Sequence, residues 1–347
     1  MPTRPQTNHY LAWATLRMLL EWHSACMTSS AYSRYGLLLS ADRHRTGLTD
    51  WTYIRAAERG ELVRLRRGAY CEQSHWATLT SRDRYLLRAR AIVLAAEQPL
   101  VLSSFSAAAV WGMPILDDWP TDVHILSRSA AGGRSKQGVR RHPVTGAQPE
   151  VVERDGFLVT GVARTALDLL IASEFAPAVA SLDWALWRRN RVRVSADEVR
   201  DELSRLDPRY RRAHATAVID FATHLSDSFG ESMTRAVIHQ LGYSAPELQV
   251  TFRDRKGAME TDYFWRAERI AGEFDGFQKY LRPEYGAHLT PGEIVWREKK
   301  REDRLRRQCD GVVRIIWEET RNPRQLDALL RESGLKPSPR PKTPRRY

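Results

Sequence analysis

The segment GESMTRAVIHQLGY (residues 230–243) and the five segments that follow it decide the fold of the second half of this chain. Its apolar residues recur at helical spacing up to Gly242, and glycine commonly ends helices, so we predict a helix here. The later segments are strand-like apart from one charged helical run: LQVTF (248–252), METDYFW (259–265), RIAGEFDG (269–276), EKKREDRLRRQC (298–309) and VVRIIW (312–317). The predicted order is therefore helix, three strands, helix, strand.

Two acidic residues fall on neighbouring predicted strands of this region. Asp262 lies in the second strand and Glu273 in the third. Mg²⁺ prefers oxygen ligands in proteins, one or two of them carboxylates, and keeps several waters. The pair therefore predicts a divalent-metal site. Acidic residues beside glycines are also typical of strand edges and turns, and the pattern alone leaves that structural role open.

Composition and charge favour a nucleic-acid partner. The chain has 347 residues, enough for two or three domains, and 42% of them are hydrophobic, which excludes global disorder. Its 54 Lys and Arg outnumber 42 Asp and Glu, giving a formal charge of +12 and a pI near 9.9. Such a balance favours a polyanionic partner, although a merely basic protein shares it.

The cysteines and the apolar runs indicate a cytoplasmic protein. The three cysteines, Cys26, Cys71 and Cys309, are far apart and show no zinc-ligand spacing, so we expect no disulfide and no zinc. No run approaches the ~20 apolar residues of a membrane span. The stretch from Leu11 to Met27 is interrupted by charges and is a poor signal peptide, and Met27 is an alternative start.

A capped helix and a basic hairpin stand near the N-terminus. Residues 35–39 read as one helical face, residues 50–59 as a second helix ended by Gly60, and residues 62–70 as a hairpin. Helix, turn, helix and basic wing predict a winged helix-turn-helix, in which one helix enters the major groove and the wing contacts backbone. The DNA-binding candidates are Arg55 and Arg59 on the helix, and Arg64, Arg66 and Arg67 on the wing. A small helical packing unit with a solvated basic hairpin is the alternative.

The middle of the chain shows no catalytic constellation. Strands are predicted at 123–126 and 157–160, with helices at 86–97, 103–112, 162–170 and 179–187. His124 and His142 lack carboxylate or cysteine partners at metal spacing, so we interpret them as hydrogen-bonded structural residues. The charged stretch 188–212 and the basic tail 336–347 are interpreted as linker and disordered tail.

Four segments of the first half resemble the AbiEi-type antitoxin family of type IV toxin–antitoxin systems. They are RLRRGAY (64–70), SSFSAAAVWGMP (103–114), DVHILSR (122–128) and FLVTGVARTALDLL (157–170). The resemblance spans about residues 30–190. It implies an N-terminal winged helix that represses its own promoter, followed by an antitoxin region, and a cognate toxin as partner.

The second half resembles the PD-(D/E)xK nuclease superfamily, in the branch of very-short-patch-repair endonucleases. GESMTR, ELQV, TDYFW, IAGEFDGFQKY, EKKREDRLR and VVRIIW carry the resemblance over about residues 228–320. It implies a restriction-endonuclease-like fold, a mixed sheet flanked by helices. It also implies Mg²⁺- or Mn²⁺-dependent DNA hydrolysis, with Asp262 and Glu273 as metal ligands and Glu231 completing or orienting the shell.

One position departs from the superfamily pattern, in which a lysine lies two residues after the strand carboxylate. Here that position is Asp275. Asp275 can add a ligand, and Lys279, Lys300 or Arg307 can supply the missing positive charge. Gln249 either orients water or substrate or has a structural role at a strand end.

We therefore predict an α/β multidomain protein with a winged helix-turn-helix, an α+β middle region and a restriction-endonuclease-like αβββαβ core. The predicted boundaries are 1–29 extension, 30–75 winged helix, 76–200 antitoxin-like region, 201–227 linker, 228–333 endonuclease-like domain and 334–347 basic tail. The function expected is a DNA-binding regulator fused to a metal-dependent deoxyribonuclease of bacterial defence. The alternative is a repressor or antitoxin whose nuclease-like domain is inactive and only binds DNA.

Changing Arg64, Arg66 and Arg67 to Ala should weaken DNA binding across all sequences. Each lost phosphate contact should also flatten the plot of log affinity against log salt by about 0.9. Gel-shift titrations over a salt series measure both effects. Unchanged affinity at low salt, with the fold intact by circular dichroism, contradicts the prediction.

Overall fold

The computed structural model describes residues 35–40, 50–127, 138–144, 146–206, 211–276 and 291–338. Within them the chain is a mixed α/β protein with three sheets and twelve helices, as the α/β multidomain prediction requires. It divides into two compact units. Unit 1 comprises Met1–Gly112, Asp117–Thr165 and Leu206–Pro208, and unit 2 comprises Met113–Leu116, Ala166–Arg205 and Arg209–Tyr347.

Unit 1 begins with a small antiparallel sheet and one helix. The strands are β1 (Leu37–Leu39), β2 (Leu62–Arg66) and β3 (Ala69–Glu72), ordered β1-β3-β2, and helix α1 is Asp50–Glu58. β2 and β3 form the predicted hairpin. Arg66 pairs with Ala69 across a tight turn in which Gly68 has a φ of +76°, a value that glycine adopts without steric cost.

The helix predicted over residues 35–39 is wrong, because Leu37–Leu39 form strand β1. The three leucines pair with β3 in the register Leu37↔Cys71 to Leu39↔Ala69. Leu37 is buried against Ala69, Cys71, Leu87 and Ala91. A short apolar run has no periodicity of its own, so its long-range pairing decided its conformation.

The second sheet of unit 1 has five strands in the order β6-β5-β4-β8-β7. They are β4 (Val101–Leu102), β5 (Val123–Ser127), β6 (Val139–Pro143), β7 (Val151–Arg154) and β8 (Phe157–Thr160), with helices α2 (Gln73–Thr78), α3 (Ser81–Leu94) and α4 (Ser104–Trp111). The strands predicted at 123–126 and 157–160 are confirmed, as are the first two predicted helices of the middle region. Strands β6 and β7 were not predicted.

His124 and His142 lie side by side in this sheet. The Nδ1 atom of His124 is 3.0 Å from the Nε2 atom of His142, so the histidines are hydrogen-bonded, as predicted. Burial, followed by the charges of His142 and Arg140, lowers the pKa of His124 to about 3. His124 is therefore a neutral core residue at physiological pH.

Unit 2 contains the third sheet and most of the helices. Helix α5 (Val162–Ala172) leads into it, followed by α6 (Phe175–Leu186), α7 (Ala196–Arg205), α8 (Arg212–Phe221) and α9 (Phe229–Gln240). Then come β9 (Glu247–Asp254), β10 (Gly257–Trp265), β11 (Ile270–Asp275), α10 (Pro291–Leu305), β12 (Gly311–Ile316), α11 (Trp317–Arg321) and α12 (Pro323–Glu332). The predicted order of helix, three strands, helix and strand is found from α9 to β12.

The sheet of unit 2 has the strand order β12-β11-β10-β9. Strands β9 and β11 both run antiparallel to β10, whereas β12 runs parallel to β11. A parallel partner needs a crossover connection, and α10 lies in the connection between β11 and β12. Helix α10 packs on the sheet through Leu305, which contacts Phe264 and Ala271 in one core cluster.

The stretch interpreted as a charged linker contains helix α7, and helix α8 begins at its end. Val199 on α7 and Ala215 and Val218 on α8 are fully buried. The apolar face of these two helices was not recognised in the sequence, because charged residues are so frequent there. Residues 207–210, the extension 1–29 and the tail beyond residue 338 lie outside the described residues. No helix among the described residues is long and apolar enough to cross a membrane.

A buried ion pair joins α9 to α6. The Nη2 atom of Arg235 donates to Oδ2 of Asp183 at 2.9 Å, and both side chains are almost fully buried. Asp183 also accepts from the backbone N–H of Thr223, and Arg235 stacks on Phe221. Burial raises the pKa of Asp183 while Arg235 opposes that rise. Buried charges persist only with such partners.

Gly230, the second residue of α9, sits against the ring of Phe274. A Cβ atom at Gly230 would lie 2.0 Å from Cε1 of Phe274, closer than any real contact. The ring cannot yield easily, because it is buried and packs edge-on against Trp317 at 5.3 Å. Close approach of α9 to β11 therefore requires glycine at this position.

Gly230→Ala should lower the free energy of unfolding by about 1–3 kcal/mol, the usual cost of overpacking. Gly292→Ala is the matched control. Gly292 is the second residue of α10, and its added Cβ meets nothing within 4 Å. That change should be neutral or stabilising, since alanine favours helices. Urea unfolding compares the two variants, and equal stabilities would show that the contact with Phe274 is unimportant.

Candidate functional site

Glu231 is held at the N-terminus of α9. Ser228 caps the helix by accepting from the backbone N–H of Glu231 at 3.2 Å, and Glu231 Oε2 accepts from the N–H of Asp227 at 2.9 Å. Gln249 donates from Nε2 to the same carboxylate oxygen at 3.1 Å. Glu231 is only 3% exposed, so this buried carboxylate is fixed by its hydrogen bonds.

Gln249 connects Glu231 to the central strands. The register pairs Thr261 with Val250 and Tyr263 with Leu248, which places Gln249 across from Asp262. Gln249 has a φ of +52°, which is uncommon for a residue other than glycine. Strained conformations of this kind cluster at functional sites. The observed bond shows Gln249 orienting the Glu231 carboxylate, a role that the sequence did not predict, and orientation of water or substrate stays a prediction.

Asp262 and Glu273 lie on adjacent strands. The pairs Tyr263↔Gly272 and Phe264↔Ala271 place Asp262 opposite Glu273. Asp262 Oδ2 also accepts from the backbone N–H of Phe274 at 2.7 Å. Because strand side chains alternate, both carboxylates share the face of the sheet that packs against α10. Glu231 approaches from the other face, where the Tyr263 hydroxyl donates to its backbone carbonyl at 2.7 Å.

Glu273 has an unusual electrostatic environment. Its side chain is 13% exposed, and its Oε1 atom lies 2.5 Å from Nη1 of Arg301. Burial is the main cause that raises the pKa of Glu273, and the charge of Asp262 raises it further. Arg301 opposes both effects. A carboxyl with a raised pKa beside a second carboxylate is a recognised property of functional sites.

Arg301 is the basic residue that reaches this carboxylate pair. Besides Glu273, its Nη2 atom donates to the backbone carbonyl of Glu260 at 2.6 Å. Arg301 precedes the buried Leu305 by four residues, so both lie on the face of α10 that covers the sheet. Sequence reasoning missed Arg301, although its i, i+4 spacing from an apolar residue was a usable signal.

The other predicted basic residues lie elsewhere. Lys300 is exposed, with its ammonium 3.2 Å from the ring centroid of Trp296, and Arg307 donates to the carbonyl of Asp303. Lys300 is on the solvent side of α10, and Arg307 lies exposed just beyond the end of that helix at Leu305. Lys279 lies outside the described residues.

Asp275, which stands at the superfamily's lysine position, lies near an arginine. Its Oδ2 atom is 4.0 Å from Nη1 of Arg314, which lies on the adjacent strand β12. Arg314 also pairs with Glu302 of α10 at 3.4 Å. The edge of the site therefore carries alternating carboxylates and guanidinium groups.

The donor set fits a magnesium ion in part. Asp262 and Glu273 supply two carboxylates on one face, and Mg²⁺ commonly uses one or two, completing its shell with water. Among the described residues, no cluster of three or more His, Cys, Asp or Glu side chains could hold a metal. A cation at this position would therefore have to compete with Arg301 for Glu273.

The predicted DNA-binding arginines of unit 1 are mostly at the surface. Arg55 is 67% exposed on α1, and its guanidinium lies 5.7 Å from the ring of the exposed Trp51. Arg59 pairs with Glu61 at 2.6 Å. On β2 and its turn, Arg64 and Arg67 are exposed and Arg66 is half-buried, with an irregular register between Arg64 and Arg66.

Comparison with known proteins gives limited similarity. No protein-family model matches the chain. Two Mycobacterium tuberculosis proteins, "Uncharacterized protein Rv2248" and "Uncharacterized protein MT2308", are each 26% identical over 227 residues, covering 65% of this chain and 78% of theirs. The crystal structure of RV2827C protein from Mycobacterium tuberculosis aligns with a TM-score of 0.36 at 16% identity, covering 58% of this chain and 76% of that one.

Glu273→Gln should change how stability depends on pH. Because the folded-state pKa of Glu273 is raised, the wild-type protein loses stability as pH rises from the unfolded value, about 4.3, through the folded value. Glutamine does not titrate, so the variant should gain stability relative to wild type as pH rises above about 4.3. Thermal unfolding of both proteins over a pH series measures the difference. A difference that stays constant with pH contradicts the assignment.

Proposed function

We propose that this protein binds DNA and hydrolyses DNA phosphodiester bonds with Mg²⁺ or Mn²⁺ at the site formed by Glu231, Asp262 and Glu273. The observation that carries the proposal is the placement of Asp262 opposite Glu273 on adjacent strands, with Glu231 oriented by Gln249. The resemblance to very-short-patch-repair endonucleases implies Asp262 and Glu273 as metal ligands, with Glu231 completing or orienting the shell. The region from α9 to β12 is accordingly proposed to be a restriction-endonuclease-like core.

Asp262 and Glu273 are the proposed metal ligands. When bound, the cation polarises the phosphate and lowers the pKa of the attacking water. The Phe274 N–H fixes one oxygen of Asp262. Hydrolysis joins the water oxygen to phosphorus and breaks one phosphorus–oxygen bond of the DNA backbone, and a proton passes to the departing oxygen.

Arg301 is proposed to supply the positive charge that the superfamily takes from its lysine. Its guanidinium already lies 2.5 Å from Glu273, beside the position proposed for the cation. With a cation held by Asp262 and Glu273, the Arg301 guanidinium would be placed to bind a phosphate group, two oxygens of which can accept parallel hydrogen bonds. Lys279, proposed from the sequence, remains the alternative, whereas Lys300, the other lysine proposed, is exposed beside Trp296.

Unit 1 is proposed to contribute a winged helix-turn-helix, with α1 in the major groove and the β2–β3 hairpin on the backbone. The exposed Arg55, Arg64 and Arg67 support this assignment. With the resemblance to AbiEi-type antitoxins, it makes the protein a regulator of its own promoter in a toxin–antitoxin or defence system. A cognate toxin is then the expected protein partner.

A second candidate function is DNA binding without catalysis. The ion pair of Arg301 with Glu273 favours it, because a permanent pair would exclude the cation. Asp275 in place of a lysine favours it as well. A degenerate nuclease domain would then serve only to hold DNA for the regulator.

Arg301→Ala should slow Mg²⁺-dependent nicking of supercoiled plasmid by about 10²–10³, the usual effect of removing a charge contact in the transition state. Asp262→Asn sets the inactive reference, since asparagine keeps an acceptor for the Phe274 N–H but loses the charge that binds metal. Calorimetry with Mn²⁺ should show one site in Arg301→Ala and none in Asp262→Asn. These results together would separate catalysis from metal binding.

Lys300→Ala is the matched control, because this neighbouring residue faces solvent and should retain full activity. Lys279→Ala tests the lysine first proposed from the sequence. Full activity in Arg301→Ala with a large loss in Lys279→Ala would show that Lys279, and not Arg301, supplies the positive charge. Wild-type protein that binds DNA but never cuts it, with either metal, would favour the second candidate function.

A further inference from the structure

Four arginines lie in the segment that joins α6 to α7, which we call the arginine loop (Arg188–Arg193, sequence RRNRVR). Arg188, Arg189, Arg191 and Arg193 are all exposed. The sequence had marked this stretch only as part of a linker.

The arginine loop has a defined backbone. Asn190 donates from Nδ2 to the carbonyl of Trp184 at 2.9 Å and accepts from the N–H of Val192 at 3.1 Å. The N–H of Val194 donates to the carbonyl of Ala185 at 2.9 Å and so anchors the loop to the end of α6. Little conformational entropy would therefore be lost when the loop binds a partner.

Asp227 ties the arginine loop to the candidate site. Its carboxylate accepts from Trp187 Nε1 at 2.8 Å and from Arg189 Nη1 at 3.4 Å, while Arg188 Nη2 lies 3.9 Å away. The backbone N–H of the same residue donates to Glu231 Oε2. A single residue thus contacts both the arginine loop and the carboxylate at the start of α9.

The arginines of this surface lie beside two carboxylates. Asp227 contacts Arg188 and Arg189, and Glu198 at the start of α7 is bonded to Ser195. Arg188 and Arg193 line an open cleft of about 480 Å³ together with Glu198, Thr223 and His224. Exposed arginines held in a defined geometry match phosphate oxygens, which guanidinium groups can bind with two parallel hydrogen bonds.

We propose that the arginine loop binds the phosphate backbone of duplex DNA and leads it to the site at Glu231. The proposal rests on the proposed function. The arginine loop is connected to Glu231, a residue of the proposed DNA-hydrolysing site, and for this reason we name DNA and not another polyanion as the partner. Contacts of this kind carry no sequence information and set the position of the duplex. The loop would therefore act in addition to the hairpin of unit 1 and not replace it.

The test is made in the full-length protein with Arg64, Arg66 and Arg67 already changed to Gln, which reduces the contribution of unit 1. Changing Arg188, Arg189, Arg191 and Arg193 to Gln in that background should weaken binding of a fluorescein-labelled duplex at least about tenfold at 0.1 M salt. Each phosphate contact contributes a factor of about 8 at that concentration, so the loss of two contacts already exceeds this limit. Fluorescence anisotropy over a salt series gives affinity and slope.

The matched control removes four exposed positive charges elsewhere in unit 2, by changing Arg253, Arg255, Lys256 and Arg324 to Gln. It should weaken binding less than threefold. Equal losses in the two variants would mean that net charge alone matters and would overturn the proposal. Unchanged binding in the loop variant, with an unchanged melting temperature, would overturn it as well.

The outcome is separable from that of the proposed function. Binding is measured without metal and in Asp262→Asn protein, so it does not depend on catalysis. Loss of binding in the loop variant supports the proposal even if the wild-type protein never cuts DNA. An anionic vesicle of phosphatidylserine and phosphatidylcholine provides the competing partner. Vesicle binding lost in the loop variant, while duplex binding persists, would assign the loop to a membrane surface and overturn the DNA proposal.

Discussion

The buried ion pair between Arg235 and Asp183 determines where α9 lies, and the position of α9 determines the candidate site. The two residues are 52 positions apart, and both are removed from water. Loss of one partner of a buried pair typically costs about 3–5 kcal/mol, because it leaves an uncompensated charge in the interior. One turn before Arg235, the same helix presents Glu231 to Gln249 and to the hydroxyl of Tyr263. The ion pair between α9 and α6 thereby helps to fix the contacts that α9 makes with the sheet.

Burial of the carboxylates at the candidate site lowers the stability of the folded protein. Glu231 is almost fully buried, and burial raises the pKa of Glu273 in spite of Arg301. Gln249 holds a backbone conformation that few residues other than glycine adopt. Strain and unfavourable burial in one place are expected where a protein maintains a binding site at the expense of stability. Arg301 offsets the negative charge of Glu273, and it would compete with a cation for that carboxylate.

Positive charge is distributed in a way that suits a long polyanion. The arginine loop is connected to Glu231 through Asp227, and Arg301 of α10 contacts Glu273 directly. Duplex DNA presents phosphates at regular intervals along its backbone, so separated cationic groups can contact it simultaneously.

Local patterns in the sequence determined much of this protein. Periodicity was sufficient to order α9, the four strands of the last sheet and α10, and to place Asp262 and Glu273 on neighbouring strands. What only the tertiary structure decided depends on contacts between distant residues. Leu37–Leu39 form a strand because β3 pairs with them, and Asp183 meets Arg235 across 52 positions. Arg301 reaches Glu273, where Lys300 does not, because packing of Leu305 fixes the rotation of α10 about its axis. Periodicity specifies an element and its apolar face, whereas the partner of that face is chosen by the three-dimensional packing of the whole unit.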